Sequence, residues 1–129
     1  MSPDDRSLYS GLVRLHILHH SAAQPIYGAW IAEELARHGY KLSAGTLYPV
    51  LHSLEIKGYL RSSRQRAGRW TRRVYRTTPL GRRVLRRARK RVWELFGEMF
   101  ASRTAAAVAA PGSIAGTLSG RRQMQIASK

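Results

Sequence analysis

The stretch "LSAGTLYPVLHSLEIKGYL", Leu42 to Leu60, decides the fold. Leu47, Val50, Leu51 and Leu54 recur at helical spacing, so the segment reads as a helix with one face on a core. Ser43 stands before it as an N-cap whose hydroxyl can accept from a free first-turn N–H. Gly58 stops it just after Lys57. Gly45 and Pro49 are poor helix formers, yet both fall in its first two turns. On a wheel of about 100° per residue they lie with His52 opposite the leucines, and Tyr48 and Ser53 stand to either side. Two helix-weakening residues therefore share the solvent face, where small, smooth side chains let a helix sit close to a groove. Either Pro49 is interior and removes the bond to the Gly45 carbonyl, or the helix effectively starts later, capped by Thr46, with Pro49 in the tolerant first turn.

The segments on either side complete a motif. "LYSGLVRLHILHH", Leu8 to His20, reads as a helix with Leu8, Leu12 and Leu15 on one stripe and Val13 and Ile17 on the far side. Apolar residues on both sides imply burial on both, inside a domain or against a second subunit. Pro25 ends that helix, and a second runs from about Tyr27 to His38, with Ile31 and Leu35 at i, i+4 and Gly39 as its stop. Only Gly39 to Leu42 separate it from the third helix, which makes a helix-turn-helix. After Gly58 the period changes. "YLRSSRQR" and "RWTRRVYRTT" flank "AG" and read as a two-stranded hairpin with its tip near Ala67 and Gly68. A basic hairpin after a helix-turn-helix is a wing. Trp70, Val74 and Tyr75 are expected to pack it onto the third helix.

"TPLGRRVLRRARKRVWELFGEMFAS" opens with Thr78 as N-cap and Pro79 at the first helical position. Leu85, Ala88, Val92, Leu95 and Met99 then follow a/d spacing, with Trp93, Phe96 and Phe100 thickening the apolar side. The helix is expected to pack against a copy of itself; a core-packed monomeric helix is the alternative. The fold class is mainly α with a small β-hairpin wing: a winged helix-turn-helix over 5–77 and a long C-terminal dimerisation helix over 78–102. From 103 to 129 Ala, Gly, Ser and Thr dominate, and a flexible tail without assigned function is expected.

Charge narrows the partner. The chain's 129 residues carry 23 Lys and Arg against 7 Asp and Glu, a net charge of +16. From Arg61 to Arg91 there are 14 basic residues and no acidic one, whereas residues 1–60 are balanced, five against five. A field this lopsided favours a polyanion, because each neutralised phosphate releases condensed counterions. There is no cysteine, hence neither disulfide nor thiolate metal site. No long apolar run or signal-like start occurs, so a cytoplasmic protein without membrane contact is expected. No nucleophile, base and acid converge in a catalytic motif and no Gly-rich phosphate loop is present, so an enzyme is not expected and no cofactor is implied.

"PIYGAWIAEEL", "GYKLSAGTLYPVLHSLEIKGYL" and "YRTTPLGRR", in this order, resemble the PadR family of transcriptional regulators, "GTLYPVLHSLE" being the most specific part. The resemblance covers roughly Leu12 to Phe100. It implies an N-terminal winged helix-turn-helix, a C-terminal dimerisation helix, and binding of double-stranded DNA at pseudo-palindromic operators, usually as a repressor that a small molecule releases. The single C-terminal helix is similar to that of the short subfamily. The density of Arg between Arg82 and Arg91 and the Ala/Gly tail depart from the family's pattern.

The candidate DNA-binding residues are Tyr27, Ser43, Gly45, Thr46, Tyr48, Pro49, His52, Ser53, Arg64, Arg66, Arg69 and Arg72. Thr46 and Tyr48 can meet phosphates or a thymine methyl, and His52 a base edge or phosphate. The alternatives are a half-buried packing role for Tyr48 and a solvated His52. Tyr27 is equally a core residue or, with Gly28, a phosphate contact at a helix N-terminus. No Arg, Asn or Gln occupies the exposed face, so specificity is expected partly from DNA shape read by wing arginines. Arg64, Arg66 and Arg69 lie nearest the tip; Arg72 and Arg73 point to opposite faces. Leu12, His16, His19, Leu85, Val92, Trp93 and Phe96 are read as an effector pocket or a dimer interface. Family members are similar in stacking planar ligands on aromatics there, which makes a small aromatic effector a candidate partner beside the homodimer. Histidines at 16, 19 and 20 have metal-compatible spacing, but without a supporting ligand they are read as packing or interface groups. A charge-driven RNA-binding or nucleoid-like protein is the alternative function.

Overall fold

The structure is a computed structural model whose description covers residues 3–101, with side-chain environments from Asp5 onward. The 103–129 segment assigned above to a tail lies outside the described residues. The elements in chain order are helix α1 (Pro3–Ala23), strand β1 (Ile26–Tyr27), helix α2 (Gly28–Arg37), helix α3 (Ala44–Ile56), strands β2 (Leu60–Ala67) and β3 (Trp70–Thr77), and helix α4 (Pro79–Met99). No described helix is long and apolar enough to cross a membrane.

Two glycines set the helix-turn-helix. Gly39 (φ +90°) and Gly58 (φ +85°) hold the left-handed conformation that closes a helix. After α2, the Gly39 N–H donates to the Ala36 carbonyl at 3.0 Å and the Tyr40 N–H to Leu35 at 2.9 Å. After α3, Gly58 donates to Glu55 at 2.9 Å and Tyr59 to Leu54 at 3.0 Å. Both are Schellman closures, which satisfy the last carbonyls and turn the chain sharply. α4 begins as its sequence indicates, the Gly81 N–H donating to the Thr78 hydroxyl at 2.9 Å.

Three features differ from the sequence reading. The sheet has three strands in the order β1-β3-β2, because Ile26 and Tyr27 pair antiparallel with Tyr75 and Val74. Pro25 forces its neighbours out of helical geometry, and the two residues between it and α2 are too few to show alternation. α1 extends beyond Leu8 at its start, because its first turns are polar and carry no apolar stripe for periodicity to detect. Trp70 does not pack on α3; it is 76% exposed, while Val74 and Tyr75 are buried. Strand alternation puts Trp70 on the face opposite that of Leu60 and Tyr75, which turn to the core. The reversal itself lies at Gly68 and Arg69, since Ala67 still pairs with Trp70.

The chain divides into two units, Met1–Ala88 and one from Arg89 onward, with α4 crossing the boundary. In the first unit Val13, Ile17 and Leu18 of α1, Ile26, Ile31, Leu35, Leu47, Leu51, Leu54, Leu60, Tyr75 and Leu85 form one core. α1 thus buries its Val13–Ile17 side; Leu8, on the other stripe, is 72% exposed. Two buried hydroxyls, Ser21 and Thr77, meet each other and the Leu18 carbonyl, which satisfies groups that would otherwise destabilise the core. In the second unit Val92, Trp93, Leu95, Phe96 and Met99 are exposed, and Trp93 stacks on Phe96 at 5.4 Å.

Candidate nucleic-acid interface

α3 divides into two faces. Leu47, Leu51 and Leu54 are buried, whereas Gly45, Tyr48, Pro49 and His52 are exposed and Thr46 and Ser53 partly so. The helix starts at Ala44. Pro49 is therefore interior, beyond the first turn, and its missing N–H deprives the Gly45 carbonyl of its intrahelical donor. Ser43 has N-cap backbone geometry (φ −74°, ψ 163°), but its hydroxyl makes no cap bond. That hydroxyl instead donates to Thr46 Oγ1 at 3.3 Å, while the Ser43 carbonyl accepts from Thr46 and Leu47. The amides of Ala44 and Gly45 have no acceptor within the helix, as first-turn amides do not.

Tyr48 reconciles its two readings: it is 45% exposed and also packed. Its ring lies across the first residue of α2, where a Cβ on Gly28 would overlap the Tyr48 hydroxyl and ring edge. The glycine of "IYGAW" therefore seats the tyrosine of "TLYPV". Beside it, Tyr27 is half-buried at the N-cap of α2 and carries the Arg72 guanidinium 3.8 Å above its ring centroid. Tyr27 sits opposite Val74 in the ladder, so Arg72, two residues before Val74, is its same-face diagonal neighbour.

The wing's two faces follow from strand alternation. The register Arg61↔Arg76, Ser63↔Val74, Gln65↔Arg72 and Ala67↔Trp70 puts these residues on the face of Tyr27. Leu60↔Thr77, Ser62↔Tyr75, Arg64↔Arg73 and Arg66↔Thr71 occupy the opposite face, which carries the core. Arg61, Arg64, Arg66, Arg69, Arg72, Arg73 and Arg76 are all exposed. The structure thus places Arg64 and Arg66 on one face, Arg72 on the other, and Arg69 at the turn.

A residue that sequence reasoning missed ties the wing to α3. Glu55 accepts from the Ser62 hydroxyl at 2.6 Å and the Ser62 N–H at 3.2 Å, and Arg73 donates to the Ser62 hydroxyl at 3.0 Å. This network bridges the end of α3 to both long strands. An acid near a helix C-terminus is disfavoured by the helix dipole. Its presence there, just before a stretch of basic residues, was the available signal.

The remaining candidates include a histidine cluster shared by α1 and α2. His16 stacks on His38 at 4.9 Å and is followed in space by His20, which stands 3.6 Å from Glu34. Glu34 also accepts from His38 at 3.3 Å and from Arg37 at 2.8 Å. Burial, then the neighbouring His38, His20 and His19, hold His16 below the ordinary histidine range, outweighing Glu34. Partial burial pushes the Glu34 carboxyl up, but the His38 hydrogen bond and the charges of Arg37, His20 and His38 bring it net below its usual value. Among the described residues no group of three or more His, Asp or Glu side chains is arranged to hold a metal ion. Leu12 and His19 are exposed on α1, and Leu85 is enclosed in the core of the first unit. Val92, Trp93 and Phe96 belong to the second unit. A cavity of about 300 Å³ opens between α1 and α3, with Arg6, Arg14 and Thr46 on its polar side and Val13, Leu42 and Val50 beneath.

Comparison with known proteins agrees with this geometry. Residues 17–87 match the family described as "Transcriptional regulator PadR-like family". The chain is 50% identical over 90 residues to transcriptional regulator Rv3488 of Mycobacterium tuberculosis, a match spanning 70% of this chain and 84% of that protein. The crystal structure of a PadR family transcriptional regulator from Eggerthella lenta superposes with a TM-score of 0.63 at 33% identity, covering 76% of this chain and 86% of the other. A transcriptional regulator from Clostridium thermocellum superposes equally well, TM-score 0.63, at 25% identity, covering 74% and 96%.

Proposed function

This chain belongs to the PadR-like family of transcriptional regulators, and from that premise we propose that it is a dimeric repressor which grips a pseudo-palindromic DNA operator and lets go when a small molecule binds. The observation that carries the reading is the continuity of one surface. The exposed face of α3 meets the start of α2 through Tyr48 and Gly28, the Tyr27–Arg72 pair stands beside that contact, and the wing extends from it with exposed arginines on both faces. α3 enters the major groove by its N-terminal half, where Gly45 and Pro49 keep the face low. Thr46, Tyr48, His52 and Ser53 then meet base edges and phosphates. Ser43 and the open first-turn amides hold a phosphate, and Tyr27 keeps Arg72 directed at the backbone. Arg64, Arg66 and Arg69 reach the adjoining minor groove.

Dimerisation is supported by Val92, Trp93, Leu95, Phe96 and Met99, an apolar set exposed on α4 that a second copy would cover. The two recognition helices then address half-sites about one helical turn, roughly 34 Å, apart. The stacked Trp93 and Phe96 also offer flat faces to a planar effector, which would bind at that seam. Hydroxyl-radical footprinting of the protein on its own promoter region tests the reading. Two protected tracts related by a dyad are expected. A continuous footprint without symmetry, or stronger binding to competitor RNA, would transfer the function to a charge-driven RNA-binding or nucleoid-like protein that uses the exposed basic residues from Arg82 to Arg91.

A further inference from the structure

The largest aromatic side chain of the wing is also among its most exposed. Trp70 is 76% exposed, at the first position of β3 and directly after the turn. Its surroundings explain why. The cross-strand partner is Ala67, too small to cover an indole, and the turn residue Gly68 (φ +66°) has no side chain at all. Arg72, the next residue on the same face, is drawn the other way onto the Tyr27 ring. An indole whose burial would remove roughly 150–250 Å² from water is instead held out at the end of a stiff hairpin. Its neighbours along the hairpin are basic: Arg69 precedes it in the turn, Arg72 follows on its face and Arg66 lies on the opposite face near the tip, with no acid anywhere from Arg61 to Arg91.

Resting on the DNA-binding reading above, we propose that Trp70 is an apolar wedge which enters the minor groove and partly unstacks one base step, bending the operator. The flanking arginines bring the tip to the narrow, strongly negative groove, and the indole supplies what they lack, a flat apolar surface for the exposed base face. Pyrimidine–purine steps unstack most readily, so the wedge selects such a step without any hydrogen bond to a base. This adds sequence preference to an α3 face that lacks Arg, Asn and Gln for bidentate base readout.

The test uses the full-length protein and a duplex of about 30 base pairs from its own promoter region, with a fluorescence donor and acceptor at the two ends. Trp70→Ala should weaken binding roughly 5- to 150-fold, the range for loss of one base–aromatic stack. It should also leave the bound duplex straighter, with reduced energy transfer, while Trp70→Phe keeps most of both. The melting temperature of the free variant should match that of the parent, since so exposed a side chain adds little to the fold. Unchanged affinity and bend in Trp70→Ala would overturn the wedge, and so would weaker binding with an unchanged bend. Failure of the parent reading looks different: the unmodified protein would itself show no preference for the duplex.

Discussion

Replacing Gly28 by Ala tests how α2 governs the exposed face of α3 proposed to meet DNA. The new Cβ would fall on the Tyr48 hydroxyl and ring edge, so one of the two must move. The obstructing atoms are the far end of a half-exposed side chain, and Tyr48 can swing into solvent rather than push α2 away. The stability cost is therefore modest. Strain of about 1–3 kcal/mol for an overpacked site is the upper bound, offset by up to about 1 kcal/mol of helix propensity gained over Gly. DNA affinity should suffer more. A tyrosine hydroxyl placed on a phosphate contributes about 1.5–3 kcal/mol, so its displacement weakens binding on the order of 10- to 150-fold. Fluorescence anisotropy with labelled operator DNA, on Gly28→Ala, Tyr48→Ala and the double variant, completes a cycle. Each single change should cost a similar factor, and the double variant should bind no worse than Tyr48→Ala. Multiplying losses in the double variant would refute the seating of Tyr48 by Gly28.

Pro49→Ala restores an interior helix bond and should raise stability by up to about 3 kcal/mol in urea unfolding while changing DNA affinity, because residue 49 lies on the exposed face; higher stability with unaltered affinity would place that face away from DNA. Arg66→Ala with Arg69→Ala should lower affinity for all sequences alike and flatten the slope of log affinity against log salt by about 0.9 per lost phosphate contact, and an unchanged slope would remove both arginines from the interface. The histidine cluster makes stability depend on pH. His16 is held below its ordinary value of 6.5 in the fold, so on acidification the unfolded chain takes up that proton first. Its contribution is complete above about pH 6.5 and is lost progressively below it, toward the lower folded value. Glu34, lowered from 4.5, adds a further loss only at more acid pH. Urea midpoints measured from about pH 7.5 to about pH 5.5 should fall in the parent and be flatter in His16→Gln; an equal fall in both would assign the dependence to other groups.

Much of the architecture was legible because it depends on residues whose chemistry is local. Gly39 and Gly58 adopt positive φ wherever a helix must close, and Thr78 with Pro79 opens a helix in any context. The leucine spacing of α3 named its buried face correctly. Tertiary choices were not legible. β1 is two residues long and owes its existence to the edge of β3 rather than to any pattern of its own. Trp70 has a high strand propensity and reads as a packing residue, but propensity does not report which face of a hairpin meets the core. The Ser43 hydroxyl donates to Thr46 Oγ1 rather than accepting from a first-turn N–H, a choice between two nearby partners that sequence does not distinguish. Glu55 was overlooked because its partners, Ser62 and Arg73, come from two strands whose register was unknown. Tyr27 was read as either core or contact, and its half-buried ring beneath Arg72 is consistent with both. Leu12 and His19 are exposed on α1, His16 stacks on His38 and Leu85 is in the core of the first unit, while Val92, Trp93 and Phe96 belong to the second unit.

Sequence reading is tested most directly by one ratio: the affinity of the protein for its own promoter region against its affinity for random duplex of equal length, both at physiological salt. A sequence-reading dimer should prefer the promoter by at least about 10³-fold, the lower end for specific regulators. Equal affinities would contradict it, leaving a basic surface that binds nucleic acid by charge alone.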